Sequence, residues 1–542
     1  MGTLWFNGHI YTMEAEGEKV ESIFTKDGTI IAVGKKQEIL KKYHDEIGRR
    51  IDLQGKTLIP GLVDSHLHLI GFGETFLKLD LTKYKSKEEV LQAVQMFAEK
   101  SYDNEWIIGE GWNENQWIHN ERITKEDIDH IIPHRPVILK RICRHTAVVN
   151  SKALQLANIT KDTVQPTGGY IDKQTDGEPT GILSDNALNL VSQVMPKVNK
   201  TYLKQALRKA VEQCHQLGIT GVHTEDLNYY GSYHETLAAF YEVLEEEGYL
   251  LRTHLLLHNG IIDEWYNEGN AYLGGTNLIE YGAMKIFADG SLGGRTALLS
   301  FPYVDDPSTT GVAIHTKEEL TNLVKKAREM NVPIAVHAIG DLALQWVIDA
   351  IETYPAHKNT PDRIIHAPLV QKGDFERLCK LPVVLDIQPG FLASDFPWVF
   401  DRVGVGKIDY LYAWKSFLQA GIACAGGSDA PIEPINPLLG IYTAVTRTRE
   451  NDKDKNVYSP EEKLTLFEAV CLYTKGSAYA CGHEHDRGMI SPGFIADFTI
   501  FDEDIFQNSA EKLLSTKVAM TVINDQIVYQ NENILSFASF EN

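Results

Sequence analysis

The chain has 542 residues, 43% of them hydrophobic and 23% charged, which is enough to bury a large central domain and one or two smaller ones. Its 52 basic and 74 acidic side chains give a net charge of −22 without long single-sign blocks, which argues against nucleic acid and anionic membranes as partners. Six scattered cysteines, a start unlike a signal peptide and the lack of a bilayer-length apolar run predict a cytoplasmic protein without a disulfide framework or a thiolate zinc site.

Both ends of the chain have the pattern of short strands joined by tight turns. Asp27-Gly28 near the start and Asn524-Asp525 near the end are residue pairs that favour two-residue hairpin turns. The sequence therefore predicts that residues 1–57 and 481–542 build one small sheet domain together. The predicted strand regions are Leu4–Thr12, Ser22–Gly34, Ala496–Phe501 and Val518–Tyr529.

Between the two ends, eight apolar runs alternate with stretches of helical periodicity. This alternation is typical of βα units with a parallel sheet. Eight such units predict a (β/α)8 barrel whose active site lies at the carboxyl ends of the strands, with the first strand in residues 58–71 and the others in residues 201–480. The runs are Leu58–Leu69, Ile219–Glu225, Leu251–His258, Tyr281–Gly290, Val332–Ala338, Arg363–Ala367, Val383–Pro389 and Ile422–Pro431.

Residues 72–200 are too long for a single βα connection. They contain elements of their own, such as Trp106–Trp117 and Pro136–Val149. We expect an inserted α+β subdomain that covers the barrel mouth and contributes to substrate specificity. Its candidate substrate contacts are Glu110, Trp112 and His145, with a place in the subdomain core as the alternative for Trp112 and Trp117.

The candidate ligands of a metal ion lie at the ends of the apolar runs. Residues two apart in a strand share one face, so His66 and His68 can bind one ion, although two ordinary polar residues at a strand end are the alternative. Imidazole and carboxylate groups without a thiolate suit zinc or a similar divalent ion, with one or two ions per chain. The candidate ligands are His66, His68, Lys285, His337, His366 and Asp429.

Lys285 is unusual in this set, because an ammonium group repels a cation. A lysine at a barrel mouth can lose its proton and trap carbon dioxide as a carbamate, which is an anionic oxygen ligand able to bridge two metal ions. The alternative is an ordinary salt bridge between Lys285 and Asp289 or another acid.

Together these segments resemble the amidohydrolase superfamily, specifically the branch that contains the YtcJ-like proteins and N-substituted formamide deformylase. The resemblance covers nearly the whole chain and is specific for the branch but not for the substrate. The segments that carry it are Pro60–His68, Lys285–Ala297, His337–Asp341, His366, Gly427–Pro431 and Gly488–Asp497.

The resemblance implies a distorted TIM barrel with a β-sandwich built from both chain ends. It also implies that His66, His68 and Asp429 bind the more buried metal ion, that His337 and His366 bind a second one, and that an N6-carboxylated Lys285 bridges the two. The implied mechanism is attack of a metal-activated hydroxide on a carbonyl carbon. We expect Asp429 to be the proton shuttle between the attacking water and the leaving nitrogen.

Other candidates depend on single residues. Arg295 follows a Gly-Gly pair and can bind a substrate carboxylate or carbonyl, with a structural salt bridge as the alternative. Gln388 ends the seventh run and can reach the pocket. His483 and His485 lie in a polar loop, where we do not expect metal binding, and Asp341 is expected to cap the helix after the fifth strand.

The leading functional hypothesis is a metal-dependent hydrolase of amide-type carbon–nitrogen bonds in a small molecule, with N-acyl or N-formyl amines as the favoured class. A mononuclear deaminase is the first alternative, but family deaminases carry a glutamate shortly after the fifth-strand histidine and His337 has none there. Ester or phosphotriester hydrolysis on the same scaffold stays open. A non-catalytic scaffold protein is disfavoured because no ligand is missing, and a homodimer is left open.

Overall fold

The computed structural model describes residues 1–100, 106–114, 117, 121–141, 146–166, 169–196, 198–356, 361–450, 452 and 454–532. The chain divides into two compact units. One unit contains residues 1–72 and 207–542, and the other contains residues 73–206. The second unit corresponds to the inserted subdomain, for which the sequence predicted residues 72–200.

Eight parallel strands of the first unit form a nearly closed barrel, in which neighbours along the chain are neighbours in the sheet. All eight apolar runs of the sequence supply one strand each, so the predicted fold class is confirmed. Their side chains are almost entirely buried, as expected for parallel strands covered on both faces. Barrel strands 1 to 8 are Leu62–Leu67, Ile219–Thr224, Arg252–His258, Ile279–Phe287, Ile334–Ala338, Asp362–His366, Val383–Ile387 and Ala423–Gly426.

The gap between barrel strands 8 and 1 is bridged just beyond the end of strand 8. There the backbone N–H of Asp429 donates to the carbonyl oxygen of His66 (2.7 Å), and the N–H of His68 donates to the carbonyl oxygen of Ala430 (2.8 Å). These two hydrogen bonds hold the loop after strand 8 against the end of strand 1. The first and last predicted ligands are therefore brought together by backbone pairing.

Helices alternate with the barrel strands, and short helices extend several of the strand-end loops. The helix after strand 5 begins at Asp341, but Asp341 does not cap it: its carboxylate accepts hydrogen bonds from Ser300 and Gln371, so that expectation was wrong. The α-helices outside the insert are Lys36–Tyr43, Leu69–Leu77, Lys200–Gln216, Tyr233–Tyr241, Ile262–Asn267, Lys317–Glu329, Asp341–Thr353, Lys372–Leu378, Pro389–Asp395, Val399–Val403, Trp414–Gln419, Pro437–Thr446, Leu466–Cys471 and Ser477–Ala480.

Strands from both chain ends join one eight-stranded sheet, as the sequence predicted. Both predicted hairpin turns form, since Asp27, Gly28, Asn524 and Asp525 all have positive φ angles, as a type I′ turn requires. The core of this sheet contains Trp5, which packs edge-on against Phe498. The strands are Gly2–Tyr11, Lys19–Lys26, Thr29–Gly34, Ile47–Asp52, Thr57–Pro60, Phe498–Phe501, Val518–Ile523 and Gln526–Gln530.

The unit of residues 73–206 has a six-stranded sheet and helices of its own, in agreement with the predicted α+β insert. Its helices are Lys87–Lys100, Lys125–Ile131, Ser151–Leu156 and Leu188–Ser192. Its strands are Leu79–Asp80, Ile107–Trp112, Val137–Arg141, Thr146–Val149, Gly169–Lys173 and Pro179–Asp185. Within the described residues of the whole chain, no helix has the length and apolar character that crossing a membrane requires.

Candidate metal centre

The six predicted ligands lie at the carboxyl ends of barrel strands 1, 4, 5, 6 and 8, and the structure brings them together. His66 Nε2 is 3.3 Å from both Asp429 Oδ1 and Lys285 Nζ. His68 Nε2 is 3.5 Å from the same oxygen of Asp429. The rings of His337 and His366 have centroids 4.6 Å apart. Donor atoms of His66, His366 and Asp429 all lie within 4.8 Å of one another.

Three of the four imidazoles use one ring nitrogen for a hydrogen bond to a protein oxygen. A carbonyl oxygen only accepts, so the bonded ring nitrogen carries a proton, and the other nitrogen is the one that can bind a metal ion. This is the arrangement that orients histidine ligands in metal sites. The pairs are His68 Nδ1 with the Glu225 backbone oxygen (2.9 Å), His337 Nε2 with the Gly290 backbone oxygen (3.1 Å) and His366 Nδ1 with Gln388 Oε1 (2.7 Å).

The spacing of the donor atoms fits a divalent ion. Metal–ligand bonds of about 2.1 Å give a coordination tetrahedron with edges of about 3.4 Å, close to the 3.3 and 3.5 Å that separate Asp429 Oδ1 from the two imidazole nitrogens. Imidazole and carboxylate groups form a nitrogen and oxygen donor set typical of zinc and related ions. The residues present therefore suit the metal centre that the sequence predicts.

The protonation states also suit metal binding for most of the ligands. Burial and the nearby charge of Lys285 lower the pKa of His66 to about 3 and that of His337 to about 4, so both rings are neutral at pH 7. Burial would raise the pKa of Asp429, but hydrogen bonds from His66 and His68 hold it well below its usual range. The site thus offers neutral imidazoles and an ionised carboxylate, which are the forms that bind metal ions.

His68 differs from the other imidazoles. Burial would lower its pKa, but the hydrogen bond and charge of Asp429 outweigh burial and raise the pKa to about 9. At pH 7 the metal-free ring therefore carries a proton that a metal ion has to displace. Because a bound metal competes with this proton, we expect metal affinity to fall as the pH falls.

Lys285 is fully buried, and its Nζ contacts His66 rather than a carboxylate. Burial lowers its pKa to about 8, against the opposing charges of Glu225 and Asp429. The alternative salt bridge with Asp289 is not formed, because Asp289 accepts hydrogen bonds from the backbone N–H groups of Leu298, Ile339 and Gly340. The lowered pKa increases the fraction of Lys285 present as the neutral amine, which is the form that carbamate formation requires.

Buried charged groups hold the ligand-bearing segments in place. Asp64 accepts hydrogen bonds from the backbone N–H groups of His66 and Ser428, which ties strand 1 to the loop after strand 8. Arg363 donates to Asp386 and to the Ser65 carbonyl oxygen directly before His66. These contacts fix the backbone at the ligands, in keeping with the support that metal sites need.

Two of the ligands have backbone conformations that non-glycine residues rarely adopt. The φ angles are +76° at His366 and +59° at Asp429. Such strain persists only where the surrounding structure enforces it, and it is concentrated at functional sites.

A cavity of about 360 Å³ opens beside the predicted ligands. His66, His68, His337, His366 and Asp429 form part of its wall, so a small molecule in the cavity would contact the site directly. The wall also contains side chains that the sequence reasoning missed. These are mainly aromatic or aliphatic, with the acids Asp395 and Glu433 in the loops after strands 7 and 8. Their position just after strand ends was the available signal.

Arg295 and Gln388, the two barrel residues that were predicted to contact the substrate, are both bound to other protein groups. The Arg295 guanidinium forms an ion pair with Asp305, which also binds Arg402. This is the structural salt bridge named as the alternative. Gln388 is buried and holds His366, which places it behind a ligand.

Trp112 and Glu110, which were predicted to contact the substrate, both have partners inside the insert. Trp112 packs in the insert core beside Trp117, and its Nε1 donates to the Leu139 carbonyl oxygen (3.1 Å). Glu110 pairs with Lys140 at 3.2 Å. His145 lies outside the described residues. A role of Glu110 or Trp112 in binding substrate stays a prediction.

A second buried polar cluster lies nearer the amino ends of strands 3 and 4. Glu280 accepts hydrogen bonds from His254, His483 and Arg487, so its carboxylate is neutralised by protein groups. His485 is 92% exposed and does not share this cluster. His483 and His485 therefore lie in different surroundings.

Comparison with known proteins gives concordant matches over nearly the whole chain. The sequence model that defines the amidohydrolase family matches residues 49–529 of this chain. The YtcJ protein of Bacillus subtilis (strain 168) is 46% identical over 530 residues, which cover 98% of this chain and 100% of that protein. N-substituted formamide deformylase of Arthrobacter pascens is 25% identical over 548 residues, with 97% of each chain covered. The crystal structure of an uncharacterized metal-dependent hydrolase from Pyrococcus furiosus superimposes with a TM-score of 0.76 at 32% identity, covering 93% of this chain and 100% of that one.

Proposed function

Because the chain belongs to the amidohydrolase family, we propose that it hydrolyses an amide-type carbon–nitrogen bond in a small molecule, with N-acyl or N-formyl amines as the substrate class. The observation that carries the proposal is the convergence of four imidazoles, Asp429 and Lys285 beside one cavity. The match to N-substituted formamide deformylase supports the N-formyl part of the proposal.

The proposed centre holds one or two divalent ions, with zinc as the proposed metal. His66, His68 and Asp429 would hold one ion and His337 and His366 the other, with a carboxylated Lys285 between them. A metal ion bound there would lower the pKa of water to about 7 and would polarise the substrate carbonyl. The neutral imidazoles and the ionised Asp429 support this assignment.

The role of Asp429 in the reaction follows from its position and charge. Its carboxylate lies at the cavity wall, hydrogen-bonded to His66 and His68. It can accept a proton from the attacking water as the new carbon–oxygen bond forms. It can then donate that proton to the nitrogen as the carbon–nitrogen bond breaks. The products are a carboxylic acid and a free amine.

The deaminase alternative has little support from the site. No glutamate follows His337 at the end of strand 5, and Asp341 is engaged by Ser300 and Gln371. Ester and phosphotriester hydrolysis need the same nucleophile and are separated by experiment.

The test is a parallel assay of matched N-formyl and N-acyl amines, esters, phosphotriesters and aminated heterocycles, with and without a chelator. We expect chelator-sensitive release of the amine from the amides at the highest kcat/KM. Ammonia release from a heterocycle, or turnover confined to esters or phosphotriesters, would overturn the proposed bond class.

The lowered pKa of Lys285 predicts how the metal-depleted protein regains activity. Only the neutral amine attacks carbon dioxide, and with a pKa of about 8 roughly one lysine in ten is neutral at pH 7. At constant dissolved carbon dioxide, we expect the rate of reactivation by added metal to rise about tenfold per pH unit below pH 8 and to level off above it. Reactivation that is independent of carbon dioxide would contradict carbamate formation at Lys285.

A further inference from the structure

The wall of the cavity beside the predicted ligands combines apolar surface with acidic side chains. Apart from the ligands, its large side chains include Phe287, Phe391, Trp398 and Tyr412. Its other charged side chains are acidic, and none of the described residues that line it is a lysine or an arginine. A ligand in this cavity therefore meets apolar surface and carboxylates.

The two acids of the wall are Asp395, at the end of the helix after strand 7, and Glu433, in the loop after strand 8. Asp395 accepts a hydrogen bond from the Tyr412 hydroxyl group. Burial raises the pKa of Asp395 to about 6, so it is mostly ionised at pH 7. Burial and the charges of Asp395 and Asp429 also raise the pKa of Glu433. Asp395 and Glu433 thus place two carboxyl groups in the same partly buried space, where their negative charges repel each other.

Two arginines lie near this wall, and each of them has protein partners. The Arg449 charge acts on Glu433, but its guanidinium donates to the carbonyl oxygens of Ala393 (2.6 Å) and Phe396 (3.0 Å). Arg402 lies over the Trp398 ring and pairs with Asp305. Asp305 neutralises Arg402, whereas the Arg449 charge offsets only part of the negative charge of the wall, because the pKa of Glu433 stays raised.

We propose that this wall makes the enzyme selective for amides whose amine portion carries a second, cationic nitrogen on an apolar spacer. Mono-N-acyl diamines have this chemistry. An ammonium group beside Asp395 and Glu433 relieves the repulsion between the carboxylates, and the spacer lies on the aromatic side chains. A carboxylate at the same place adds to the repulsion. The inference rests on the proposed amide hydrolysis and assigns its substrate class.

The test uses three formamides of equal length, which present different groups at the far end. They are mono-N-formyl-1,5-diaminopentane, N-formylhexylamine and N-formyl-6-aminohexanoate, with the acetamides as a second series. We expect kcat/KM to fall by about tenfold or more from the cationic to the neutral amide and again to the anionic one. Turnover of the neutral amide without a preference for the cationic one would overturn the inference and leave amide hydrolysis standing. No turnover of any amide would instead overturn the proposed function.

Variants of Asp395 and Glu433 test whether these residues cause the preference for the cationic amide. In Glu433→Gln, and more strongly in the double variant with Asp395→Asn, we expect the ratio of kcat/KM for the cationic to the neutral amide to approach one. Glu433→Lys should shift the preference towards the anionic amide. Glu318→Gln changes the net charge equally on an exposed helix position and should leave the ratio unchanged. A wild-type ratio in the double variant would overturn the assignment.

Discussion

Replacement of Asp429 by asparagine should lower kcat by about 10²–10⁴-fold, because general acid–base catalysis by one group contributes that much. Asparagine keeps the size of the side chain but cannot take up the proton of the attacking water. The carboxylate is held ionised by His66 and His68, so the wild-type enzyme is in the reactive form at neutral pH. KM should change much less than kcat, since binding in the cavity depends mainly on its other walls.

The control for this variant is Asp263→Asn, which removes the same charge at an exposed ion pair with Lys326. Its kcat should equal that of the wild type. Metal content is measured on each preparation, because Asp429 is also a proposed ligand. An Asp429→Asn enzyme that retains its metal and has kcat within tenfold of the wild type would contradict the proton-shuttle role.

Replacement of Arg363 by methionine should reduce the free energy of unfolding by about 3–5 kcal/mol, since it leaves a buried carboxylate without its partner. Arg363 is 1% exposed and donates to Asp386 (2.7 Å) and to the Ser65 carbonyl oxygen (2.6 Å). Urea denaturation of the metal-depleted protein measures this loss without a contribution from metal binding. The double variant with Asp386→Leu should recover much of the stability, because no unpaired charge remains.

Arg377→Met is the matched control for the unfolding measurement on Arg363→Met. Arg377 pairs with Asp349 and Glu352 nearer the surface, where salt bridges contribute about 0–1 kcal/mol. An equal loss of stability in Arg363→Met and Arg377→Met would show that the barrel interior does not depend on the Arg363–Asp386 pair.

The convergence of the candidate ligands could be predicted from the sequence because strand position and side-chain chemistry are both local properties. An apolar run ending in His66-Leu-His68, and later runs ending in single ligands, imply a common edge once the strands are parallel. The hairpin turn at Asp27-Gly28 was predictable for the same reason, since the conformation of a two-residue turn depends on the residues in it.

Contacts between distant loops could not be predicted in this way. The Gln388 side chain was expected in the pocket, but it accepts the ring N–H of His366, which lies on the neighbouring strand. The positive φ angles of His366 and Asp429 are imposed by the packing around them. Asp395 and Glu433 follow two different strands, and their position after a strand end does not reveal that they line the same cavity.

The central claim is a lysine-bridged metal centre, and metal stoichiometry tests it most directly. The measurement is elemental analysis of wild-type and Lys285→Ala protein purified with added bicarbonate. The account predicts about two metal ions per chain in the wild type and a clear loss in the variant, because Lys285 lies 3.3 Å from His66 and would supply the bridging ligand. One metal ion per chain in both proteins would contradict the bridge.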